Sequence, residues 1–575
     1  MLPKLNKRWV IRDRIPPEVD QALAGYPPFF RQILFSRGVL DGVKALDYLE
    51  GRIEPGSEDP FQMLGMKETV DRLLWAIRKH EKIAVYGDYD VDGVTATALL
   101  TQVLRRYGAD AEPYIPNRFE EGYGLNVDAL TALKEKGTRV VITVDCGIRS
   151  PREAEKADEL EIDLIISDHH HPGSELPDAY AVICPKRDGD PYPFKELSGV
   201  GLAYKIGQAL GLTCPEAGVF AEEWLDLVAL GTVADVVPLV GENRCLVRRG
   251  LEIMRVRKLQ NRPGLYSLAN VARVKVPQIS AGDIAFILGP RLNAAGRLHT
   301  ALDSLNLLLS ESIDEAGLLS QGLDNQNRER QELTRKMQEA AIQKIQAGKV
   351  DSILFAFEES FNPGVVGLVA SRLVDTYYRP AVVGHLDGEF ARASCRSIPE
   401  FHITGALDQC SYLLVRHGGH ALAAGFTVHR DNVEELMRRL SEIAARELSA
   451  LDLRPILHAD HEIPLEKLRS EYVENLLRHL DQLQPTGQGN PEAVFVSRDL
   501  EVVRAWNVGA EKQHLRLSVR AGSITFDGIA FRQGYRLADM PRRIDLLYGF
   551  ELNEYNGRVS LQLNVRDFKE AGLPD

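Results

Sequence analysis

Cysteine is scarce and dispersed in this chain of 575 residues: Cys146, Cys184, Cys214, Cys245, Cys395 and Cys410 form no C-x-x-C pair. That spacing excludes a cysteine-based zinc site and a disulfide framework as the basis of the fold, and leaves the thiols as core or near-site residues. Long apolar runs are also missing. No stretch of about 18 apolar residues could span a bilayer, and residues 1–19 mix Lys4, Lys7, Arg8, Arg12 and Arg14 with prolines and lack the apolar core of a signal peptide. A cytoplasmic protein with no membrane partner is expected. Internal repeats, low-complexity tracts and sustained heptads are absent. Positive charge is in short supply, since 69 Lys and Arg face 82 Asp and Glu for a net charge of −13. Such a balance argues against nonspecific coating of nucleic acid, which draws on clustered cations, but leaves room for a local basic groove.

What is there is a large apolar complement, 44% of the chain, enough for several cores and, at roughly 150 residues each, about three or four domains. Residues 1–50 read as a mixed lead-in. From about residue 67 helical and buried-strand patterns alternate: a helix over 67–80, strands at 83–86, 140–144 and 164–166, and helices at 126–136 and 152–160. That alternation predicts a parallel sheet with helices on both faces across residues 51–301. Residues 302–349 turn polar and helical, as one long connecting helix or two. A second α/β region follows over 350–453, with a strand at 353–357, a helix at 365–377 and a strand at 380–383. Residues 454–575 change to short alternating strands (494–495, 500–505, 514–519, 524–531, 544–550 and 558–565), which fit a small barrel of OB type.

The chemistry gathers at strand ends, where parallel α/β sheets bind ligands. The first strand runs into Gly87-Asp88-Tyr89-Asp90-Val91-Asp92-Gly93, with three carboxylates at alternate positions that an extended segment would point the same way. The second ends at Asp145, the third at Asp168 followed by His169, His170 and His171, and Asp235 closes the apolar run 225–233. So many carboxylates together repel one another unless cations neutralise them. A binuclear site is the economical reading, and oxygen ligation with an imidazole suits Mn²⁺ or Mg²⁺ better than zinc or copper. Two such ions can activate a water and stabilise the attacking and leaving oxygens of a phosphoryl centre. The alternative is that Asp88, Asp90 and Asp92 form turns or a lone Ca²⁺ loop and the histidines pair with nearby carboxylates.

These same residues, Tyr86 to Gly93, Val144-Asp145, Ser167-Asp168-His169-His170 and Thr232-Val233-Ala234-Asp235, resemble the four motifs of the DHH phosphoesterases. The resemblance implies metal ligation by Asp90, Asp92, Asp145, His169 and Asp235, assistance from Asp88, and contact of His170 with the scissile phosphate. Some relatives carry a metal-binding His four residues before the position of Asp90. Here Tyr86 stands there, so no ligand is assigned to it. Gly289-Pro290-Arg291-Leu292-Asn293-Ala294-Ala295-Gly296-Arg297 and Gly418-Gly419-His420-Ala421-Leu422-Ala423-Ala424-Gly425-Phe426 are similar to stretches of the RecJ-type exonucleases of that family, the second to the signature of the DHH-associated domain. Ser394 and Arg396 resemble the pocket for a terminal 5′ phosphate. Arg118, Arg291, Asn293, Arg297, Gly418, Gly419 and His420 are the accompanying substrate-binding candidates, because glycine admits a phosphate close to the backbone and arginine offers it a fork of donors. For Arg291, Arg297 and Arg396 a structural ion pair between domains is the competing reading. Pro485-Thr486-Gly487-Gln488-Gly489-Asn490-Pro491 opens the barrel much as in that family. Lys512, Arg516, Arg520, Arg532, Arg536, Arg542, Arg543 and Arg558, interleaved with Phe531, Tyr535 and Tyr555, suit a groove that tracks a strand, or else a solvated surface.

The resemblance implies a DHH catalytic domain and an associated α/β domain joined by the long helix across a narrow cleft, with the OB barrel guiding single-stranded DNA by its 5′ end. It further implies two-metal release of 5′ mononucleotides by a monomer, in recombination and repair, beside a single-strand-binding protein and a helicase. The runner-up readings are a DHH relative acting on oligoribonucleotides, cyclic dinucleotides or pyrophosphate, and a catalytically inactive nucleic-acid-binding scaffold. Residues 455–575 argue against the first, and the intact acidic set against the second.

Overall fold

The computed structural model describes residues 5–53, 56–118, 121–122, 124–256, 261–347, 351–468, 470–555 and 558–573. The first α/β unit is built on a five-stranded parallel sheet with spatial order Ala111–Tyr114, Lys82–Tyr86, Thr138–Val144, Asp163–Ser167, Ala181–Ile183. Its strands are apolar on both faces: Ile83, Val85, Val140 and Ile142 enter one core and Ala84, Tyr86, Val141 and Ile166 the other. Period-2 alternation thus divides an unbroken apolar run between two helical layers. The strand order reverses between Lys82–Tyr86 and Thr138–Val144. At such a reversal the loops leaving the two strands diverge to opposite faces and open a crevice at their carboxyl ends. The loops that begin at Gly87 and at Asp145 both leave from it.

Helices complete the unit, including Gly199–Thr213, Leu225–Ala234, Gly241–Val256 and Gly289–Leu298. The polar stretch then resolves into two helices. Leu302–Leu309 ends at Ser310, whose extended backbone turns the chain, and Ile313–Ala347 continues for 35 residues, a span of about 50 Å. Beyond it a mixed sheet is ordered Leu414–His420, Ala423–His429, Phe390–Arg396, Ala381–Asp387, Leu354–Glu358. Only its last pair is parallel. Helices Val366–Tyr377 and Val433–Leu448 cover it.

The C-terminal strands close into a five-stranded barrel, because Phe495–Val508 pairs with His514–Ala521 on one side and with Arg543–Tyr555 on the other. The two strand candidates at 494–495 and 500–505 are therefore one strand. A register shift between Ser497 and Leu500, with Asp499 at φ +54°, interrupts the apolar alternation without ending the ladder. The lead-in is part of this end of the molecule. Arg8–Ile11 pairs in parallel with Ile456–Ala459, the Trp9 indole donates to Asp567 at 2.9 Å, and Phe29, Phe30, Ile33 and Leu34 share one core with Phe495, Leu546 and Leu563 of the barrel. Among the described residues no helix is long and apolar enough to cross a membrane.

Candidate metal centre and substrate cleft

Asp90 stands at the N-cap of helix Val91–Arg106, and its Oδ1 accepts from the backbone N–H of Asp92 (2.9 Å) and Gly93 (3.2 Å). The helix starts one residue after Asp90, so Asp92 already lies in its first turn. The expectation of three carboxylates alternating along an extended segment holds only as far as Asp90. Asp92 is instead oriented from across the fold: its oxygens accept from the N–H groups of Gly199 (2.6 Å) and Val200 (2.9 Å) at the start of helix Gly199–Thr213. Ser198 caps that helix and meets Thr232 at 2.8 Å, which ties the turn to the helix carrying Asp235. A Cβ at Gly199 would stand 2.5 Å from that of Asp145, and one at Gly231 would stand 2.2 Å from Thr95 Oγ1. Both glycines are dictated by how closely the acidic loops approach.

Asp145 adopts φ +64°, an unusual conformation for a residue with a side chain, as the chain turns sharply out of the strand. His169 Nε2 lies 3.0 Å from Asp145 Oδ1, 3.6 Å from Asp235 Oδ2 and 3.9 Å from Asp92 Oδ2. Asp88, Asp90 and Asp145 form one group with ligand atoms within 4.8 Å, Asp92, His169 and Asp235 a second, and Asp145, His169 and His170 a third. Asp145 and His169 are shared between groups, so the arrangement offers two adjacent cation positions.

The electrostatics demand such cations. Burial, then mutual repulsion, raises the carboxyls of Asp88 and Asp145 well above the usual range, lifts Asp92 to about 7 and Asp235 to about 9. Burial and the neighbouring His170 hold His169 down to about 3, so its ring is neutral. Asp88 Oδ1, Asp145 Oδ1 and His169 Nε2 are buried without a hydrogen-bond partner. Orphaned oxygens beside one neutral imidazole fit Mn²⁺ or Mg²⁺. Tyr86 stays outside this set: its hydroxyl donates to the Gly124 carbonyl (3.0 Å) and accepts from Asn126 (3.1 Å), and its ring stacks on Tyr114.

His170 is handled differently from His169. Its Nδ1 contacts Asp168 Oδ1 at 2.7 Å, and although burial disfavours its charge, Asp168 outweighs this and raises its pKa. Asp168 is fixed in turn by the backbone N–H groups of Ile148 (2.9 Å) and His170 (3.0 Å). The sequence reading gave Asp168 no role in the site. An Asp two residues before a His, free to bond its backbone, was the available signal.

Beside the acidic centre the charge reverses. Arg118 lies over the Tyr89 ring at 4.9 Å. Burial and then the nearby Arg118, Arg330 and Arg396 lower Arg297 to about 10. Arg396 donates to Ser394 Oγ at 3.0 Å, and a Cβ at Gly367, in the first turn of helix Val366–Tyr377, would touch both side chains. Guanidiniums crowded at a helix N-terminus make a place for a phosphate. His420, at the end of strand Leu414–His420, stands near Arg149 and His170, and burial and then these two depress its pKa. Gly418 has open space about it, while Gly419, at φ +146°, would bring a Cβ within 2.4 Å of the Ala423 carbonyl. Asn293 is half-buried on helix Gly289–Leu298. Arg291, on that helix, is engaged elsewhere: Nε donates to Asp324 (2.9 Å) on the long helix and Nη1 to the Ile287 carbonyl (2.7 Å). The geometry fits the ion-pair alternative for Arg291.

On the barrel, Arg520, Arg536 and Arg543 are neutralised by Glu501, Asp567 and Asp499. Arg504 and Arg516 instead flank Trp506 at 4.5 and 5.8 Å, a group that includes two residues the sequence reading passed over. Phe531 and Tyr535 are exposed. The side chains of Tyr555 and Arg558 lie outside the described residues.

Comparison with known proteins accords with this division. Models of the DHH family N-terminal domain, the DHHA1 domain and the RecJ OB domain match residues 82–232, 350–446 and 459–567. The single-stranded-DNA-specific exonuclease RecJ of Bacillus subtilis is 39% identical over 94% of this chain and 68% of its own length. That of Salmonella typhimurium is 35% identical over 97% of this chain and 98% of its own. The crystal structure of RecJ from Thermus thermophilus in complex with Mn²⁺ superposes with a TM-score of 0.84 at 29% identity, covering 99% of this chain and 80% of that one, and the Mg²⁺ complex also matches. With its acidic centre, DHH-associated domain and OB barrel in that order, the chain belongs to the RecJ family of the DHH phosphoesterases.

Proposed function

We propose that this protein is a metal-dependent exonuclease that degrades single-stranded DNA from its 5′ end and releases 5′ mononucleotides. The observation that carries the reading is the meeting of two clusters of unlike charge at one site. Asp88, Asp90, Asp92, Asp145 and Asp235 crowd carboxylates around His169, and Arg118, Arg297 and Arg396 crowd guanidiniums beside them, Arg118 lying on the ring of Tyr89 between Asp88 and Asp90. A phosphodiester strand with its divalent ions satisfies both. When bound, Mn²⁺ or Mg²⁺ supplies activation of water and neutralisation of charge on the phosphoryl oxygens. Asp145 and His169, each common to two of the three ligand groups, would hold the ions together with Asp88, Asp90, Asp92 and Asp235, and Asp168 orients the His170 ring through Nδ1 for contact with the scissile phosphate. Arg396, with Ser394, Arg297 and Arg118, holds the terminal phosphate and sets the polarity of digestion. The Trp506 group of the barrel guides the strand by stacking and phosphate contact.

By kinship, the role is trimming of strands in DNA recombination and repair. A helicase and a single-strand-binding protein would supply the substrate, and the protein would act as a monomer. The test is digestion of 5′-labelled and 3′-labelled single strands and a duplex, with Mn²⁺ or EDTA and an Asp145→Ala control. Immediate metal-dependent release of mononucleotide from the 5′ label, absent in the variant, is expected. Intact long strands with hydrolysis of dinucleotides or pyrophosphate would overturn it.

A further inference from the structure

Asp235 caps the C-terminus of helix Leu225–Ala234, and the chain leaves it through Val236 at φ +63°. A β-branched residue in the left-handed region is strained and persists only where its surroundings fix it. Val236 itself is exposed, and what fixes the segment lies just beyond it, where Pro238, Leu239 and Val240 meet the opening of the C-terminal barrel. Gly487 and Asn490 exchange backbone hydrogen bonds of 2.8 and 3.2 Å to close a tight turn, and the Gln488 carbonyl at its tip accepts from the Leu239 N–H at 2.7 Å. A Cβ at Gly487 would stand 2.8 Å from Leu239 Cδ1. One at Gly489, whose φ is +73°, would stand 3.1 Å from Pro238 Cβ and 3.3 Å from Val240 Cγ1. The turn therefore lies flat on the segment that continues from Asp235.

The turn is itself anchored. Buried Asn490 donates to the carbonyls of Leu483 (3.0 Å) and Pro485 (2.8 Å) and accepts from the Tyr48 hydroxyl (2.7 Å). Arg244, on the helix that follows the Asp235 segment, stacks on the Tyr48 ring at 4.1 Å and donates to the carbonyls of Gln482, Leu483 and Gln484. Asn243 donates to the Pro238 carbonyl at 3.1 Å. The segment is thus held by the barrel's turn, Asn243 and Arg244.

We propose that the Gly487–Asn490 turn is a positioning element for Asp235, through which the seating of the barrel sets the affinity of the catalytic cations. The proposal rests on the assignment of Asp235 as a cation ligand. Groups that orient ligands typically contribute about 10- to 100-fold to metal affinity. Gly489→Ala strains the turn and pushes it against Pro238, and Gly487→Ala presses only on the Leu239 side chain, so it serves if the first variant does not fold.

The experiment is titration of the full-length protein with Mn²⁺, followed by electron paramagnetic resonance, alongside binding of a fluorescent single strand in EDTA and the Mn²⁺ dependence of digestion. Asp235→Asn is the reference. The expected result is about a tenfold rise in half-saturating Mn²⁺ for the glycine variants, with digestion recovering towards its plateau at high Mn²⁺ and strand binding in EDTA unchanged. If Asp235→Asn weakens Mn²⁺ binding and neither glycine variant does, the positioning role is refuted while the ligand assignment stands. If Asp235→Asn leaves Mn²⁺ binding intact, the ligand assignment fails and the inference with it. Loss of strand binding in EDTA together with Mn²⁺ binding would reduce the turn to a support of the barrel and overturn the proposal.

Discussion

Stripping the divalent ions should make the protein less stable as the pH rises, the reverse of the usual effect of carboxylates. The sign follows from the site. Asp92 and Asp235 are raised in the folded state, to about 7 and about 9 from an ordinary 3.8. Without cations the folded chain therefore holds protons that the unfolded chain releases. Stability from these groups is complete below about pH 4 and is lost as the pH climbs through 7 for Asp92 and 9 for Asp235. A displacement of about 3 pK units for Asp92 alone corresponds to about 4 kcal/mol by the time it ionises. For a domain of this size that amounts to a fall in Tm of about 10 °C. Saturating Mg²⁺ replaces the protons, adds about 3 kcal/mol per site at a hundredfold excess over Kd, and should flatten or invert the slope. Scanning calorimetry in EDTA and in Mg²⁺, at steps from about pH 5 to about pH 8, reads both curves. If the EDTA curve is level or rises with pH, or if Mg²⁺ stabilises equally at both ends, then the carboxylates are not crowded as described.

Other outcomes follow from single contacts. Asp145→Ala should lower the digestion rate by about a thousandfold or more while single-strand binding in EDTA survives. Arg396→Ala should raise KM about 10- to 100-fold for 5′-phosphorylated strands through loss of charge-assisted hydrogen bonds, with little effect on 5′-hydroxyl strands, and lysine should restore it incompletely because it lacks the fork. Arg291→Ala leaves buried Asp324 with Arg328 as its remaining partner, so chemical denaturation should show a loss of about 2 kcal/mol for the charge-assisted hydrogen bond with KM unchanged. A rise in KM instead would return Arg291 to the cleft. Gly296→Ala places a methyl 2.8 Å from the Tyr89 carbonyl, between Asp88 and Asp90, and should weaken both Mn²⁺ binding and turnover.

The acidic centre was legible because each component leaves a strong local trace. Carboxylates at the ends of short Val- and Ile-rich runs must meet at one edge of a parallel sheet, and Asp90, Asp145 and His169 do so. Unbroken apolar runs likewise marked the three central strands of the first sheet, and short alternating runs most barrel strands. What stayed hidden depends on partners remote in sequence. Arg291 resembles its neighbour Arg297 in every local respect, and only the approach of Asp324, 33 positions on, distinguishes them. Asp92 depends on Gly199 and Val200, 107 and 108 positions away, and nothing around either residue announces the meeting. The lead-in looked uninformative for the same reason: the apolar faces of its helices are complemented by barrel residues more than 400 positions later. Interrupted periodicity hid the continuity of Phe495–Val508, since a bulge removes the alternation that identifies a strand.

The pairing of Arg8–Ile11 with Ile456–Ala459 also bears on how the protein is made. The strand Arg8–Ile11 leaves the ribosome 448 residues ahead of its partner, and the Trp9 indole 558 residues ahead of Asp567. At about 5 to 20 residues per second the interval runs from under half a minute to nearly two minutes. Throughout it Phe29, Phe30, Ile33 and Leu34 have no permanent cover, while the acidic domain can already assemble from contiguous chain. Nascent molecules should therefore pass through a long-lived intermediate with a finished catalytic domain and a sticky segment at Phe29 to Leu34, and chaperone demand should fall on that segment.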